Sequence, residues 1–236
     1  MTKTLGIFGT SGFAREVDDI ACALGWHTVF IARDAAERDA WQGPGEVLLE
    51  SELAIGTANT AVNTATNAAT NATTTKTATT TGWQFTIGIG DNAVRQKVAQ
   101  RYAGQLNFIN LLHPSASFGR GQQALIEAQR GVIVCAGVRF TNNIQVGDFC
   151  IFNLNVTVGH DVIVDDFVNV SPGANISGNV HIGSRCWVGT GSALNQGTPE
   201  AKLQVGDDTM IGAGSVVVRD CAPGAVYVGI PAKRIK

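Results

Sequence analysis

Residues 132–194 read, in blocks of six, VIVCAG VRFTNN IQVGDF CIFNLN VTVGHD VIVDDF VNVSPG ANISGN VHIGSR CWVGTG SAL. The third place of every block is apolar: Val134, Phe140, Val146, Phe152, Val158, Val164, Val170, Ile176, Ile182, Val188 and Leu194. The first place, from Val132 to Ser192, is a second inward candidate and is mostly small or β-branched. With 44% apolar residues, that run has a chance probability on the order of one in ten thousand. A six-residue period is neither helical nor a simple alternating strand; it belongs to the parallel β-helix class. Three blocks close one triangular coil, and coils stack at the inter-strand spacing of about 4.8 Å, so residues 18 apart lie one above the other. After Leu194 the next repeat residue is Val205, eleven on, followed by Ile211 and Val217. Residues 196–201 are therefore expected to bulge out as a loop.

The rest of the chain is bounded by simpler quantities. Its 236 residues allow one large domain or two modest ones. A net charge of -2 gives no global electrostatic reason to expect nucleic acid or an anionic membrane as partner, although Lys233, Arg234 and Lys236 form a local basic patch. No apolar run approaches the ~18 residues that a membrane-spanning helix needs. A basic-then-apolar leader is missing from the N-terminus, so the cytoplasm is the expected compartment. Five cysteines make an odd set without Cys-x-x-Cys. Cys150 and Cys186 fall on the inward register and read as buried core residues rather than ligands or disulfide partners.

Ahead of the repeat, residues 4–9 read as a buried strand running into a glycine turn. A helical pattern follows through Val17, Ile20, Ala21 and Leu24, ended by Gly25, and then a strand over Thr28–Ala32. Strand, glycine turn, helix, strand is a βαβ unit whose first turn can offer backbone N–H groups to an anion such as pyrophosphate. Gly6, Gly9 and Gly12 are not the full dinucleotide fingerprint, so a turn without ligand remains the alternative. Residues 56–82, dominated by Thr, Ala and Asn, read as a flexible or loosely helical surface insertion without chemistry. The sheet resumes over 83–90, a helix follows through Val94, Val98 and Tyr102, and a last short strand covers 107–112. About four parallel strands result, with those ending at Gly9 and Gly90 side by side at the carboxyl edge, where ligands of open α/β sheets bind.

Of the four histidines, His27 reads as surface, His113 as a domain-junction residue and His181 as outward on a strand. His160 lies in the coil turn Val158-Gly-His-Asp161, a carboxylate directly after it. Eighteen residues on is Gly178, which should leave room beside the imidazole for a substrate group and expose a backbone N–H. A base beside an oxyanion donor is the minimal equipment for acyl transfer; the alternative is a polar corner residue above a turn glycine.

The hexad repeat, Ile211-Gly-Ala-Gly-Ser-Val-Val217 and Val228-Gly-Ile-Pro-Ala-Lys233 resemble the hexapeptide acyltransferases that use acyl-coenzyme A. The N-terminal Gly-Thr-Ser-Gly, the Ile-Gly-Asp-Asn turn and the Gly-His-Asp motif narrow the resemblance. They are similar to the nucleotide-amino-sugar N-acetyltransferases of the bacillosamine pathway, grouped with the sialic-acid O-acetyltransferase-like proteins. The resemblance implies a Rossmann-like α/β domain over 1–112 that holds a UDP-sugar, then a left-handed parallel β-helix over 113–236. It implies a cytoplasmic homotrimer with active sites between subunits, acetyl-CoA as co-substrate, no metal, and transfer of acetyl to the 4-amino group of a UDP-linked amino-dideoxy sugar.

By the same resemblance His160 is the catalytic base and Asp161 the acid that raises its basicity; Gly178, from the 18-residue register, is the candidate oxyanion donor. The sugar nucleotide falls to Ser11, Gly12, Phe13, Arg33, Asp34 and Gly90, with Asn153 near the acceptor amine. Where the family has an acidic pair, this chain has Arg33-Asp34, which leaves the nucleotide preference open. Coenzyme positions fall on Asn169, Thr190 and Ala213. The departures at 56–82 and 196–201 are expected to bear on the accessory surface and cofactor rim rather than on the base.

Rival readings fit the residues less well. A dehydrogenase would need the complete fingerprint, and neither Tyr102 nor Tyr227 has a Lys four residues on. A zinc hydratase on the same solenoid needs three convergent histidines, and no third lies near His160 and His181 in the repeat. O-acetylation of a sugar hydroxyl and a non-enzymatic scaffold remain as alternatives. Outward Ile151, Ile163, Phe167 and Trp187 expose apolar area that a neighbouring copy is expected to cover.

Overall fold

The computed structural model describes residues 3–55 and 78–236. Most of the expected insertion, 56–77, lies outside the described residues. Its last part does not continue as loose chain: β5 (Ala78–Thr79) pairs in parallel with β4 (Leu53–Ala54).

The first domain is a four-stranded parallel sheet built from β1 (Thr4–Phe8), β2 (His27–Ala32), β3 (Glu46–Leu49) and β6 (Gln84–Ile87), in the order β3-β2-β1-β6. The strands that lead to Gly9 and Gly90 are adjacent, as the sequence implies. Helix α1 (Gly12–Ala23) buries Ala14, Val17, Ile20 and Ala21 on one face, and Gly25 follows it with φ +76°. The short α2 (Ala35–Asp39) precedes β3, and α3 (Asn92–Arg101) follows β6. Strand β3 has no counterpart in the sequence reading. The expected strand over 107–112 divides instead: Asn107 and Ile109 bond to Phe85 of β6, while Leu111–Leu112 already pairs with Ile133–Val134 of the second domain. The solenoid thus begins slightly before residue 113.

The second domain is the left-handed parallel β-helix. Its first face stacks Leu111–Leu112, Ile133–Val134, Ile151–Phe152, Asn169–Val170, Trp187–Val188 and Met210–Ile211. A second face carries Arg139–Phe140, Thr157–Val158, Asn175–Ile176, Ala193–Leu194 and Val216–Val217, and a third Gln145–Val146, Ile163–Val164, Val180–Ile182 and Leu203–Val205. Phe140 pairs with Val158 and Val158 with Ile176, the 18-residue register. Both inward places of the hexads, including Cys150 and Cys186, form one continuous buried core. Each corner needs a residue in the left-handed region, and the series Asn143, Phe149, Asn155, Asp161, Phe167, Asn179 and Arg185 supplies it at φ +55° to +60°. Short Asn and Asp side chains suit that conformation.

The N-terminal domain sits on the first face. Leu111, Ile133, Cys135 and Ile151 share a buried cluster with Leu5, Ile7, Ala14 and Val17. Phe167 packs at the edge of a second shared cluster, and Trp187 faces Asp91, Asn92 and Ala93. The apolar area expected to be covered by another copy is therefore mostly covered by the chain's own first domain, and only Ile163 of the four stands apart from it. A buried guanidinium locks this seam. Arg95 is fully buried and donates to the carbonyls of Phe149, Ile89, Gly90 and Phe167 and to Asn92 Oδ1, at 2.8–3.1 Å. Burial pushes it down to about 10.

Candidate active site

The turn between the second and third faces carries Gly159, His160 and Asp161. At φ +59° Asp161 sits in the column of left-handed corners, between Asn143 one coil below and Asn179 one coil above. Its carboxylate accepts from His160 Nδ1 at 2.7 Å and, on its other oxygen, from Asn143 Nδ2. The bond from His160, then that from Asn143, holds the Asp161 carboxyl below the usual carboxylate range. An ionised carboxylate only accepts, so Nδ1 carries a proton, and in the neutral ring that leaves the lone pair on Nε2. The His160 side chain is 48% exposed, and among the described residues Nε2 has no hydrogen-bond partner.

Gly178 explains where the ring lies. A Cβ built on it would sit 2.6 Å from His160 Nε2 and 2.7 Å from Cε1. The imidazole itself thus fills the gap that the sequence reading reserved for a substrate group; the glycine makes room for the ring. Gly159 has a related duty, because a Cβ there would lie 2.6 Å from Gly178 N. Among the described residues the Gly178 N–H donates to no acceptor.

At the carboxyl edge of the first sheet, a cleft of about 160 Å³ is lined by Gly9, Thr10, Ser11, Arg33, Glu37, Glu50 and Ile89, among others. Ser11 is the N-cap of α1 and its side chain makes no capping bond, so the helix N-terminus faces this cleft without an internal acceptor. Gly12 opens the helix and Phe13 packs against the sheet core. Asp34 is engaged elsewhere: it caps α2 through Glu37 N at 2.9 Å and pairs with Arg33 Nε at 3.0 Å. Its carboxyl is held low by the Glu37 bond first and Arg33 second.

The other expected positions separate. Asn153, Thr190 and Ala213 stand on the corner between the first and second faces, the last two exposed. Asn169 is not with them; it is 4% exposed in the domain seam, and its amide donates to Gly90 O at 3.0 Å. His160 is on the vertex opposite the first face, so within one chain neither the sheet-edge cleft nor the corner of Thr190 and Ala213 adjoins it. The sequence reading passed over Asn143, which the 18-residue register could have supplied, and Lys202, which no periodicity indicates. Lys202 Nζ donates to Asp161 O at 2.5 Å. The loop expected to bear on the accessory surface and cofactor rim rather than on the base therefore touches the His160–Asp161 pair.

Residues 4–102 match the PglD N-terminal domain family. The chain superposes on PerB from Caulobacter crescentus, solved with CoA and GDP-perosamine, with a TM-score of 0.76 at 24% identity, covering 100% of this chain and 99% of that one. The acetyltransferase domain of PglB from Neisseria gonorrhoeae, in complex with acetyl coenzyme A, gives 0.75 at 25% identity with full coverage of both. These likenesses support a sugar N-acetyltransferase of the hexapeptide acyltransferase type. The chain is 26% identical over 153 residues to a GDP-perosamine N-acetyltransferase of Escherichia coli O157:H7, covering 64% of this chain and 67% of that protein. It is 27% identical over 157 residues to a dTDP-4-amino-4,6-dideoxy-D-glucose acyltransferase of Escherichia coli, covering 49% and 79%. The chain keeps its Gly-His-Asp turn at a solvent-open corner of the solenoid, with the domain that matches the PglD N-terminal family docked on the opposite face.

Proposed function

We propose that the protein transfers an acetyl group from acetyl-CoA to the amine of a nucleotide-linked amino sugar, with His160 as general base. The observation that carries this is the imidazole whose Nδ1 is committed to Asp161 while Nε2 has no partner among the described residues and the half-exposed ring lies against Gly178. In the step, the neutral sugar amine attacks the thioester carbonyl and the C–N bond forms. Nε2 takes the proton shed by nitrogen, and Asp161 stabilises the imidazolium. The Gly178 N–H is the donor for the oxyanion. Collapse breaks the C–S bond, and the leaving thiolate recovers the proton from His160.

The sugar nucleotide belongs in the cleft at Ser11 and Arg33, its diphosphate at the N-terminus of α1. Acetyl-CoA belongs along Thr190 and Ala213, where an exposed hydroxyl and a small side chain let a pantetheine arm lie against the coils. Both placements lie away from His160 within one chain, which supports a homotrimer in which one subunit's His160 works with ligands held by its neighbour. The named relatives act on GDP- and dTDP-linked sugars, whereas the sequence resemblance implies UDP and a 4-amino group.

The test is thiol release from acetyl-CoA with UDP-, GDP- and dTDP-linked 4-amino sugars, with product mass confirming the amide. Turnover with at least one acceptor and a loss of about 10²–10⁴ in kcat for His160→Ala support the reading. A variant with near-normal turnover refutes the assignment of the base, and acetylation found on a hydroxyl refutes amine transfer.

A further inference from the structure

The five extra residues between Leu194 and Val205 enter the solenoid at the corner between the second and third faces, the corner that carries His160. In the coil of His160 this corner is a bare four-residue turn; one coil up it is Ser177-Gly178-Asn179; one further up it becomes the loop 195–202. The loop folds down onto the turns below it. Gly197 N donates to Gly178 O at 3.1 Å and Leu203 N to Asn179 O at 3.0 Å. Lys202, half-buried, extends down past Asn179, whose Oδ1 is 3.5 Å from Nζ, to reach Asp161 O at 2.5 Å.

This contact completes an uncommon arrangement. The Asp161 N–H donates to Asn142 O at 3.3 Å, its two carboxylate oxygens take Asn143 and His160, and its carbonyl takes Lys202. Every polar atom of the residue is therefore engaged, although a corner in left-handed conformation needs none of its side-chain bonds to turn the chain. What the bonds do fix is the direction of the Oδ2–Nδ1 bond, and hence the plane of the imidazole over Gly178. The ammonium also favours the ionised form of Asp161, the form that can only accept from Nδ1.

We propose that Lys202 is a positioning residue of the acyl-transfer site: through the Asp161 carbonyl it holds the His160–Asp161 pair in its working orientation. This rests on the reading of His160 as the base. It makes the loop an active-site element although it contributes no group that touches substrate.

The experiment compares Lys202→Met, Lys202→Gln and Lys202→Arg, each alone and in an Asp161→Ala background, with the best acceptor from the nucleotide-sugar panel. Expected for Met and Gln is a fall in kcat of about five- to thirtyfold, below the ~10² that a 1 Å misplacement can cost. The KM values for acetyl-CoA and acceptor should stay within about twofold, with recovery of most of the rate by Arg. In the Asp161→Ala background the Lys202 substitutions should cost no more than about twofold further, because their effect passes through Asp161. With four histidines in the chain, ¹⁵N-histidine spectra offer a readout free of any acceptor. The wild-type His160 signals should show the Nδ1–H tautomer, and Lys202→Met should move them toward tautomer averaging. An unchanged tautomer with kcat within twofold of wild type overturns the proposal, as do Lys202 and Asp161 effects that multiply. A selective rise in one KM would make Lys202 a ligand contact instead. If His160→Ala keeps turnover, the general-base reading fails independently of these outcomes.

Discussion

Replacing Gly178 by alanine inserts one methyl group where the His160 ring lies. The added Cβ would be 2.6 Å from Nε2, 2.7 Å from Cε1 and 3.1 Å from Cδ2. Ordinary carbon contacts begin near 3.5 Å, so the ring must retreat by about 1 Å. It cannot do so and keep the 2.7 Å bond from Nδ1 to Asp161, because that bond sets the plane of the ring. A misplacement of about 1 Å at a reacting group can cost about 10² in rate, equivalent to about 2.7 kcal/mol of barrier.

Stability should respond differently. Gly178 is not among the residues with positive φ, so alanine can adopt its backbone, and the colliding atoms are the end of a side chain that can swing toward solvent. Glycine-to-alanine changes at compatible positions shift stability by only about 0.4–1 kcal/mol. The measurement is therefore a pair: kcat by thiol release at saturating acetyl-CoA and acceptor, and Tm by differential scanning. We expect kcat down by about tenfold to a hundredfold with Tm within a few degrees of wild type. The substitution should cost nothing further in a His160→Ala background, since the ring it displaces is gone. A Gly178→Ala enzyme with wild-type kcat would refute the argument that the ring's present position is its working position.

Three more outcomes follow from the same geometry. Asp161→Asn should lower kcat by tenfold or more, because an amide can bond either tautomer of His160. The Asp161 pKa is depressed by folding, so its contribution to stability is complete above the unfolded value near 3.9 and is lost as pH falls through the lower folded value. Denaturation of Asp161→Asn should accordingly show a flatter decline than wild type below about pH 4, and parallel declines would contradict the assignment. Arg95→Met leaves the carbonyls of Ile89, Phe149 and Phe167 without a donor and that of Gly90 with Asn169 alone, and should cost about 3 kcal/mol or more, read as an early unfolding step of the first domain in urea. A single unshifted transition would show that the seam does not depend on it. Mixing refolded His160→Ala and Ala213→Trp chains should restore part of the activity that each lacks alone, if the base and the coenzyme corner come from different subunits. Restoration would be absent if one chain holds a complete site.

Much of the fold was legible because a solenoid is arithmetic. Once the period is six, the neighbour of residue i is residue i+18, and that rule alone places Gly178 over His160 and assigns the inward Val, Ile and Cys residues to one core. The βαβ opening and the adjacency of the strands that lead to Gly9 and Gly90 follow from equally local patterns. Long-range docking was beyond that reach. Ile151 looks exposed on an isolated coil, yet it is buried because the first domain comes down on that face through contacts without period. The Arg95 guanidinium meets carbonyls from 54 and 72 residues away, and Asn169 turns out to serve the same seam. Lys202 is the sharpest case. The five extra residues reset the phase of the repeat, so no counting rule connects position 202 with 161, and only the path of the folded loop brings its ammonium to the Asp161 carbonyl. Sequence alone determined the periodic contacts, since each is fixed by its distance along the chain; tertiary structure decided those made where the period breaks or where two domains meet.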